Sequence, residues 1–227
     1  MLGSEPMKLR SSVHRAVALL ALLCAVGLAP AARAMEFAFV PIDARDWCRR
    51  TCPVAVAADG SIELDSAARF EAFVAAVDRG DGVLVFLNSS GGNVVGAMRL
   101  GQAFRRVKAD VAIASQAFDA QGAVRMGAGR CLSACVYAFM GGVRRVAPNG
   151  ASVGIHRMYS DSPGGLFGLG SERSHDDGSL LDLVAHYAQK MGVSGDLVRV
   201  AEKYDSGTMH ILTRDEIGRW KLASDRY

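Results

Sequence analysis

One stretch of the sequence, residues 129–142, reads Gly129-Arg-Cys-Leu-Ser-Ala-Cys-Val-Tyr-Ala-Phe-Met-Gly-Gly142. Its small residues permit close backbone contacts, and its apolar run predicts a buried helix directly after Ser133. A serine at such a turn can face a pocket and act as a nucleophile, or it can simply cap the helix by binding a free backbone N–H. Ser133 and its neighbours alone do not decide between these two roles, and the rest of the sequence supplies the further evidence.

Extended and helical segments alternate on either side of this stretch. Strands are predicted at residues 83–87, 111–115, 143–147 and 152–156, and helices at residues 66–79 and 93–107. Residues 54–57 and 61–64 are predicted to form a hairpin around Asp59-Gly60. The all-apolar strand at 83–87 is typical of a strand buried on both faces of a parallel sheet. Repeated strand, turn and helix predict an α/β fold whose ligands bind at one sheet edge.

A glycine pair follows the all-apolar strand. Gly91 and Gly92 lie between that strand and the next predicted helix, where free backbone N–H groups favour a negative charge. The spacing differs from that of a phosphate-binding loop, because neither Gly-x-Gly-x-x-Gly nor a Gly-Lys-Ser ending is present. The pair is therefore a candidate oxyanion hole, and a tight turn that needs positive φ is the alternative explanation.

His156 ends the apolar strand at residues 152–156 and precedes a glycine-rich loop at residues 162–170. A histidine in this position can be a general base, or an edge residue whose ring is hydrogen-bonded without a chemical role. Loops of this composition can open and close over a site. His156 is therefore a candidate base at the same sheet edge as Ser133.

The N-terminus has the order of a secretory signal. Basic residues precede the apolar run at residues 16–28, and the small residues Ala32-Arg-Ala34 follow it. We predict that residues 1–34 are a signal peptide and that residues 35–227 are one domain of a periplasmic or secreted protein. A retained membrane anchor is the alternative, but the apolar run is shorter than the ~20 residues that span a bilayer.

Removal of the predicted signal would change the charge of the chain. The formal net charge of the whole sequence is +3, and residues 1–34 contain one acidic residue, Glu5, against four basic ones. The basic residues are Lys8, Arg10, Arg15 and Arg33. The remaining chain is formally neutral and has no basic stripe with interleaved aromatics, which argues against nucleic acid as a partner.

Four cysteines follow the predicted signal: Cys48, Cys52, Cys131 and Cys135. An exported chain meets an oxidising compartment, so an even number favours disulfides, with all three pairings open. Residues 131 and 135 stand one helical turn apart, about 6 Å, which is within disulfide reach. Zinc is the alternative, but no histidine stands close in sequence to either pair. We expect no metal and no cofactor.

These segments together resemble a known family. Ser89-Ser-Gly-Gly-Asn-Val-Val-Gly-Ala-Met98, the segment around Ser133, and Gly-Ile-His156 are similar in order and spacing to the Clp protease proteolytic subunit and its exported relatives. The similarity extends over residues 54–222. It implies a ClpP/crotonase-like fold, an α/β superhelix of repeated β-β-α units in a single domain after the signal peptide.

The resemblance also implies roles for individual residues. Ser133 would be the nucleophile, His156 its base and Asp205 the residue that orients the histidine. The backbone N–H groups of Gly92 and Ala134 would form the oxyanion hole. Other acids and one other base compete for these roles. The competing acids are Asp176, Asp177, Asp196 and Glu202, and the second candidate for the base is Lys190, because the exported signal peptide peptidases use a lysine.

The sequence departs from the family pattern in ways that affect function. Ser90 replaces the usual proline before the glycine pair, and cysteines bracket Ser133. The predicted signal separates the protein from ATP and from an unfoldase, so we expect an ATP-independent serine endopeptidase with no ATPase partner. Its substrates would be peptides or unfolded proteins, and a homo-oligomer is left open. A non-catalytic scaffold or binding protein and a crotonase-type acyl-thioester enzyme are the alternatives.

The signal pattern makes a direct prediction about the mature protein. Cleavage after Ala34 should leave Met35 as the first residue of the exported chain, because small residues precede this bond at the spacing of a cleavage site. Terminal sequencing of the protein recovered outside the cytoplasm measures this. Recovery of a chain that begins at Met1 or Met7 would contradict it.

Overall fold

The central strand of the fold is the apolar segment predicted at residues 83–87. In the computed structural model this strand is β3 (Val83–Asn88), which pairs in parallel with both β2 (Val54–Asp59) and β4 (Asp110–Phe118). The structure describes residues 33–41, 52–77, 82–118, 124–163, 171–175 and 178–223. Ala34–Tyr227 form one compact unit. The predicted signal peptide lies outside the described residues, apart from its last two positions.

Shorter strands complete this main sheet on both sides. β1 (Glu36–Phe39) is antiparallel to β2, and β5 (Val124–Ala128) is antiparallel to the second half of β4. β7 (Arg145–Val146) lies parallel to the first half of β4. β7 and β5 therefore pair with different halves of β4.

A second sheet begins where β3 ends. Its strands are β6 (Arg130–Leu132), β8 (Ser152–Ile155) and β11 (His210–Ile211), with β6 parallel to β8 and β11 antiparallel to β8. Ser89, the residue after β3, pairs in parallel with Cys131 of β6. Its N–H donates to the Arg130 carbonyl at 2.8 Å and its carbonyl accepts from the Leu132 N–H at 3.1 Å. The carboxyl ends of β3, β6 and β8 therefore lie at one edge.

Helices and strands bury most of their apolar residues in one shared core. The helices are α1 (Ser66–Ala75), α2 (Val94–Arg106), α3 (Cys135–Phe139), α4 (Ser179–Lys190), α5 (Asp196–Ala201) and α6 (Arg214–Arg219). α1 packs against α2 through the edge-to-face rings of Phe70 and Phe104, and α2 packs against α3. The Tyr187 hydroxyl of α4 donates to the Tyr137 carbonyl of α3 at 2.8 Å. This contact ties α4 to the helix behind Ser133.

An antiparallel hairpin follows His156. Its strands are β9 (Tyr159–Pro163) and β10 (Ser171–His175), which pair from Tyr159 with His175 to Pro163 with Ser171. Residues 164–170 of the predicted glycine-rich loop lie outside the described residues. Within the described part of the chain, no helix is long and apolar enough to cross a membrane.

The fold prediction is confirmed in class but not in every local pairing. The predicted hairpin of residues 54–57 and 61–64 is wrong, because β2 pairs with β1 and β3. Ile62 instead reaches the glycine turn: its N–H donates to the Gly91 carbonyl and its carbonyl accepts from the Asn93 N–H, both at 2.8 Å. The prediction that β3 is buried on both faces is also wrong, since residues 83, 85 and 87 are buried and residues 84 and 86 are half-buried.

The contact with Ile62 predicts that Gly92 cannot be replaced by a larger residue. A Cβ on Gly92 would lie 2.2 Å from the Ile62 carbonyl oxygen, and the residue has φ of +137°. Gly82 has a similar φ of +129° with no atom within 4 Å of its Cβ position. Gly82→Ala should therefore cost about 1–2 kcal/mol for backbone strain alone, and Gly92→Ala about 1–3 kcal/mol more for the clash. Urea unfolding measures the difference, and equal losses would contradict the structure.

Candidate active site

Three predicted site residues meet at the edge where β3, β6 and β8 end. Gly92 follows β3, Ser133 follows β6 and His156 follows β8. All three line one open cleft of about 180 Å³. The remaining lining residues are Ser90, Val94, Tyr137, Met158 and Tyr159. Parallel pairing of the strands therefore brings together residues that are 41 and 23 positions apart in the chain.

Ser133 has a backbone conformation that residues other than glycine rarely adopt. Its φ is +55°, which costs about 1–2 kcal/mol for an L-residue. Its N–H donates to the Gly154 carbonyl at 2.8 Å and its carbonyl accepts from the Val136 N–H at 3.0 Å, and these bonds hold the turn. Strain of this kind is concentrated at functional sites.

The helix-cap alternative for Ser133 does not fit the structure. The N-cap of α3 is Ala134, and no side chain caps the helix. Among the described residues, the Ser133 hydroxyl makes no hydrogen bond to protein. The hydroxyl is therefore available to a ligand in the cleft.

A disulfide encloses the Ser133 turn. Cys131 and Cys135 are bonded, with their Cα atoms 5.1 Å apart, and both are fully buried. The pair is one of those predicted, and its thiols are not available to zinc. Cys52 is also disulfide-bonded, and Cys48 lies outside the described residues. The covalent ring contains both Ser133 and Ala134, so it restrains the predicted nucleophile and one predicted oxyanion donor together.

In the described part of the chain, the backbone N–H groups of Gly92 and Ala134, the two predicted oxyanion donors, have no hydrogen-bond partner. The N–H groups of Gly91, Asn93 and Ser133, which stand next to them in the chain, all donate. The Gly91 N–H donates to Ser89 Oγ at 3.1 Å, and the Asn93 N–H donates to the Ile62 carbonyl. Free donors beside a nucleophile are the geometry that stabilises a tetrahedral oxyanion.

Gly91 explains why the two donor turns lie so close together. A Cβ on Gly91 would lie 2.9 Å from the Ser133 Cβ and 2.8 Å from the Leu132 carbonyl oxygen. Any side chain at this position would push the turn after β3 away from the turn after β6. The first glycine therefore permits the contact, and the second supplies the N–H.

The His156 ring is held in the tautomer that a general base requires. Its Nδ1 lies 2.7 Å from the Arg157 carbonyl oxygen, and a carbonyl can only accept, so Nδ1 carries the proton. In the neutral ring the lone pair is then on Nε2. No hydrogen bond joins Ser133 to His156 among the described residues, although both line the cleft. Such bonds are often long without substrate and shorten in the reacting complex.

The structure does not place Asp205 in the role predicted for it. Asp205 is exposed, and its Oδ1 accepts the Gly207 N–H at 2.7 Å within a local turn. The Arg157 carbonyl, and not a carboxylate, accepts the His156 proton. The backbone near Asp205 does approach the site, because the Arg157 N–H donates to the Tyr204 carbonyl at 2.8 Å. The sequence therefore predicted a segment whose backbone does reach the site, but the Asp205 side chain is bound within its own turn.

Of the residues that compete for the roles of base and orienting acid, the structure places only some near the cleft. Lys190 is exposed at the end of α4 and does not line the cleft, and Asp196 is exposed at the start of α5. Asp176 and Asp177 lie outside the described residues. Glu202 is the competitor beside the site, since its Oε1 accepts the Met158 N–H at 2.9 Å. In the described part of the chain, no group of three or more His, Cys, Asp or Glu side chains could hold a metal ion.

Three aromatic and apolar residues of the cleft were not predicted from sequence. Tyr137, Met158 and Tyr159 line it, and the Tyr159 ring lies 5.6 Å from the His156 ring. Burial raises the pKa of Tyr137 well above its usual value, and the Glu202 carboxylate adds to the rise, so its hydroxyl stays protonated. The nearness of residues 158 and 159 to His156 in sequence was the signal that could have indicated them.

Solved structures with a similar fold are known. A serine-to-alanine variant of the membrane-bound stomatin-specific protease 1510-N matches with a TM-score of 0.50 and 16% identity, over 75% of this chain and 76% of that one. The protein has the ClpP-like fold. A lysine-to-alanine variant of 1510-N in complex with a substrate peptide matches with a TM-score of 0.48 and 18% identity, over 75% and 72% of the two chains. No protein-family model matches the chain, and neither does any curated protein sequence.

Proposed function

We propose that this protein is a serine peptidase that hydrolyses peptide bonds without ATP. One observation carries the proposal: Ser133 stands at positive φ between two unpaired N–H groups, in a cleft shared with a histidine whose Nε2 is available as a base. Acyl transfer needs the nucleophile, the oxyanion donors and the base together. A tight turn would explain the positive φ, but it needs neither the free N–H groups nor the histidine.

The residues perform the reaction in two half-steps. His156 Nε2 takes the proton of Ser133 Oγ as the oxygen attacks the substrate carbonyl, and the Gly92 and Ala134 N–H groups bind the resulting oxyanion. The histidine then gives its proton to the leaving amine, which breaks the C–N bond and leaves an acyl-serine. Water, deprotonated by the same nitrogen, attacks the ester and releases the acid with Ser133 restored.

The cleft favours a peptide as the substrate. Its volume of about 180 Å³ is below the ~300–1,000 Å³ typical of small-molecule pockets, and it suits one side chain of an extended chain. No Asp, Glu, Lys or Arg is among the described residues that line it. The shared fold with 1510-N, a protease, also supports peptide chemistry over acyl-thioester chemistry. Substrates would be peptides or unfolded segments, whose backbone can enter an open cleft.

We also propose that the protein acts outside the cytoplasm, as a periplasmic or secreted enzyme without an ATPase partner. The support is the order of basic, apolar and small residues at positions 8–34 and the disulfide around Ser133, a bond that persists in oxidising compartments. Identification of Met35 as the first residue of the exported chain tests this proposal.

Replacement of the nucleophile or of the base should abolish hydrolysis. Ser133→Ala and His156→Ala should each lower turnover of a peptide or ester substrate by at least about 10⁴-fold, and the double variant should be no slower than either. A fluorophosphonate probe should label the wild type and neither variant. Ser115→Ala and His186→Ala are matched controls, because both residues lie outside the cleft.

Each result of this experiment has a defined meaning. Full activity of Ser133→Ala would end the serine-peptidase proposal. A folded wild type that shows neither turnover nor labelling would favour a non-catalytic scaffold with the same fold.

The structure also changes the result expected for Asp205. A triad aspartate that bonds its histidine loses about 10⁴-fold in rate when it is replaced by asparagine. Asp205 accepts a local N–H instead, so Asp205→Asn should change kcat by less than about 3-fold, since asparagine can accept the same bond. Steady-state kinetics with the same substrate measures this. A loss near 10⁴-fold would restore Asp205 to the role that the sequence predicts.

A further inference from the structure

We propose that Glu202 is a positioning residue that acts on His156 through the peptide group between Arg157 and Met158. The inference rests on the function proposed for Ser133 and His156. Its central observation is that one peptide group makes two hydrogen bonds. Its N–H, on Met158, donates to Glu202 Oε1 at 2.9 Å, and its carbonyl, on Arg157, accepts from His156 Nδ1 at 2.7 Å.

The planar peptide group couples these two bonds. Resonance links the N–H and the C=O of one amide, so a carboxylate that accepts from the N–H increases the negative charge on the carbonyl oxygen. The carbonyl of Arg157 is therefore a stronger acceptor for His156 Nδ1 than an isolated carbonyl would be. The carboxylate of Glu202 thus supports the imidazolium formed in the reaction without touching the ring.

The surroundings favour this coupling. The Glu202 side chain is only 18% exposed, so water screens its charge less than at the surface. The Arg157 N–H also donates to the Tyr204 carbonyl, and this second hydrogen bond holds the backbone just before the 157–158 peptide group. Among the titratable groups that face this chain of bonds, the Arg157 guanidinium lies 3.6 Å from Glu202 Oε2 and offsets part of its charge. Burial keeps the Tyr137 hydroxyl protonated, and the Tyr159 ring lies 5.6 Å from the His156 ring.

A direct histidine–carboxylate pair elsewhere in the chain supplies a matched control. His210 Nε2 lies 2.9 Å from Glu216 Oε1, and the Glu216 side chain, at 19% exposure, is as buried as that of Glu202. Neither residue lines the cleft. Glu216→Gln therefore removes a comparable carboxylate beside a different histidine.

The test separates the charge of Glu202 from its hydrogen bond. Glu202→Gln keeps an acceptor for the Met158 N–H but removes the charge, and Glu202→Ala removes both. We expect kcat to fall about 10-fold in the glutamine variant and about 100-fold in the alanine variant, with KM changed less than 2-fold, and Glu216→Gln to match the wild type. The acidic limb of the kcat/KM profile should move to lower pH in both Glu202 variants, because a lost negative charge disfavours the imidazolium.

A second measurement does not depend on hydrolysis. NMR titration of the His156 ring, assigned by comparison with His156→Ala, should show its midpoint lower by at least about 0.5 pH unit in Glu202→Gln and unchanged in Glu216→Gln. Because the glutamine variant decides the result, misfolding of the alanine variant would not obscure it.

The outcomes distinguish this inference from the proposed function. An active wild type with an inactive Ser133→Ala variant, but with a Glu202→Gln variant of wild-type rate and unchanged titration, would overturn the role of Glu202 and leave the peptidase standing. An unlabelled wild type would overturn the peptidase, and the NMR titration would then decide the coupling alone. A wild-type rate in Glu202→Gln with a loss only in Glu202→Ala would show a purely structural role and would also overturn the inference.

Discussion

The site depends on the parallel pairing of Ser89 with Cys131 and of Cys131 with Val153. Parallel neighbours end at the same edge, so these two pairings put the turn after β3, the turn after β6 and the end of β8 side by side. The proposed nucleophile, oxyanion donors and base are therefore brought together by backbone pairing. Ser133 and His156 add the two side chains to a site that the backbone has formed.

Close packing of the turns imposes the sequence around them. A Cβ on Gly91 would clash with the Ser133 turn, and a Cβ on Gly92 would clash with the backbone of Ile62. Ser133 itself takes positive φ inside a disulfide-closed ring, with its N–H bound to Gly154. The turn therefore exposes the serine hydroxyl and the following N–H by fixing the backbone, and the conformational cost is met by the folded sheet around it.

The histidine illustrates how one role can be filled by different groups. A base needs an acceptor at its second nitrogen to fix the tautomer, and any well-held oxygen can serve. For His156, the proposed base, the Arg157 carbonyl is that oxygen, and the backbone of residues 157 and 158 is held by Glu202 and by the Tyr204 carbonyl. Glu202 is separated from the His156 ring by one peptide group, and it lies three residues before Asp205 in the sequence.

The sequence by itself determined the α/β class, the strands and helices that carry the site, and the positions of Gly92, Ser133 and His156. These follow from local signals, namely apolar periodicity, paired glycines and the residues that end strands. Tertiary structure decided which groups those residues contact. The partner of Ile62 is a turn 30 residues away, and the support of residues 157 and 158 comes from residues 202 and 204. No local pattern encodes such contacts, because a backbone amide is the same group in every residue and its partner is chosen by packing.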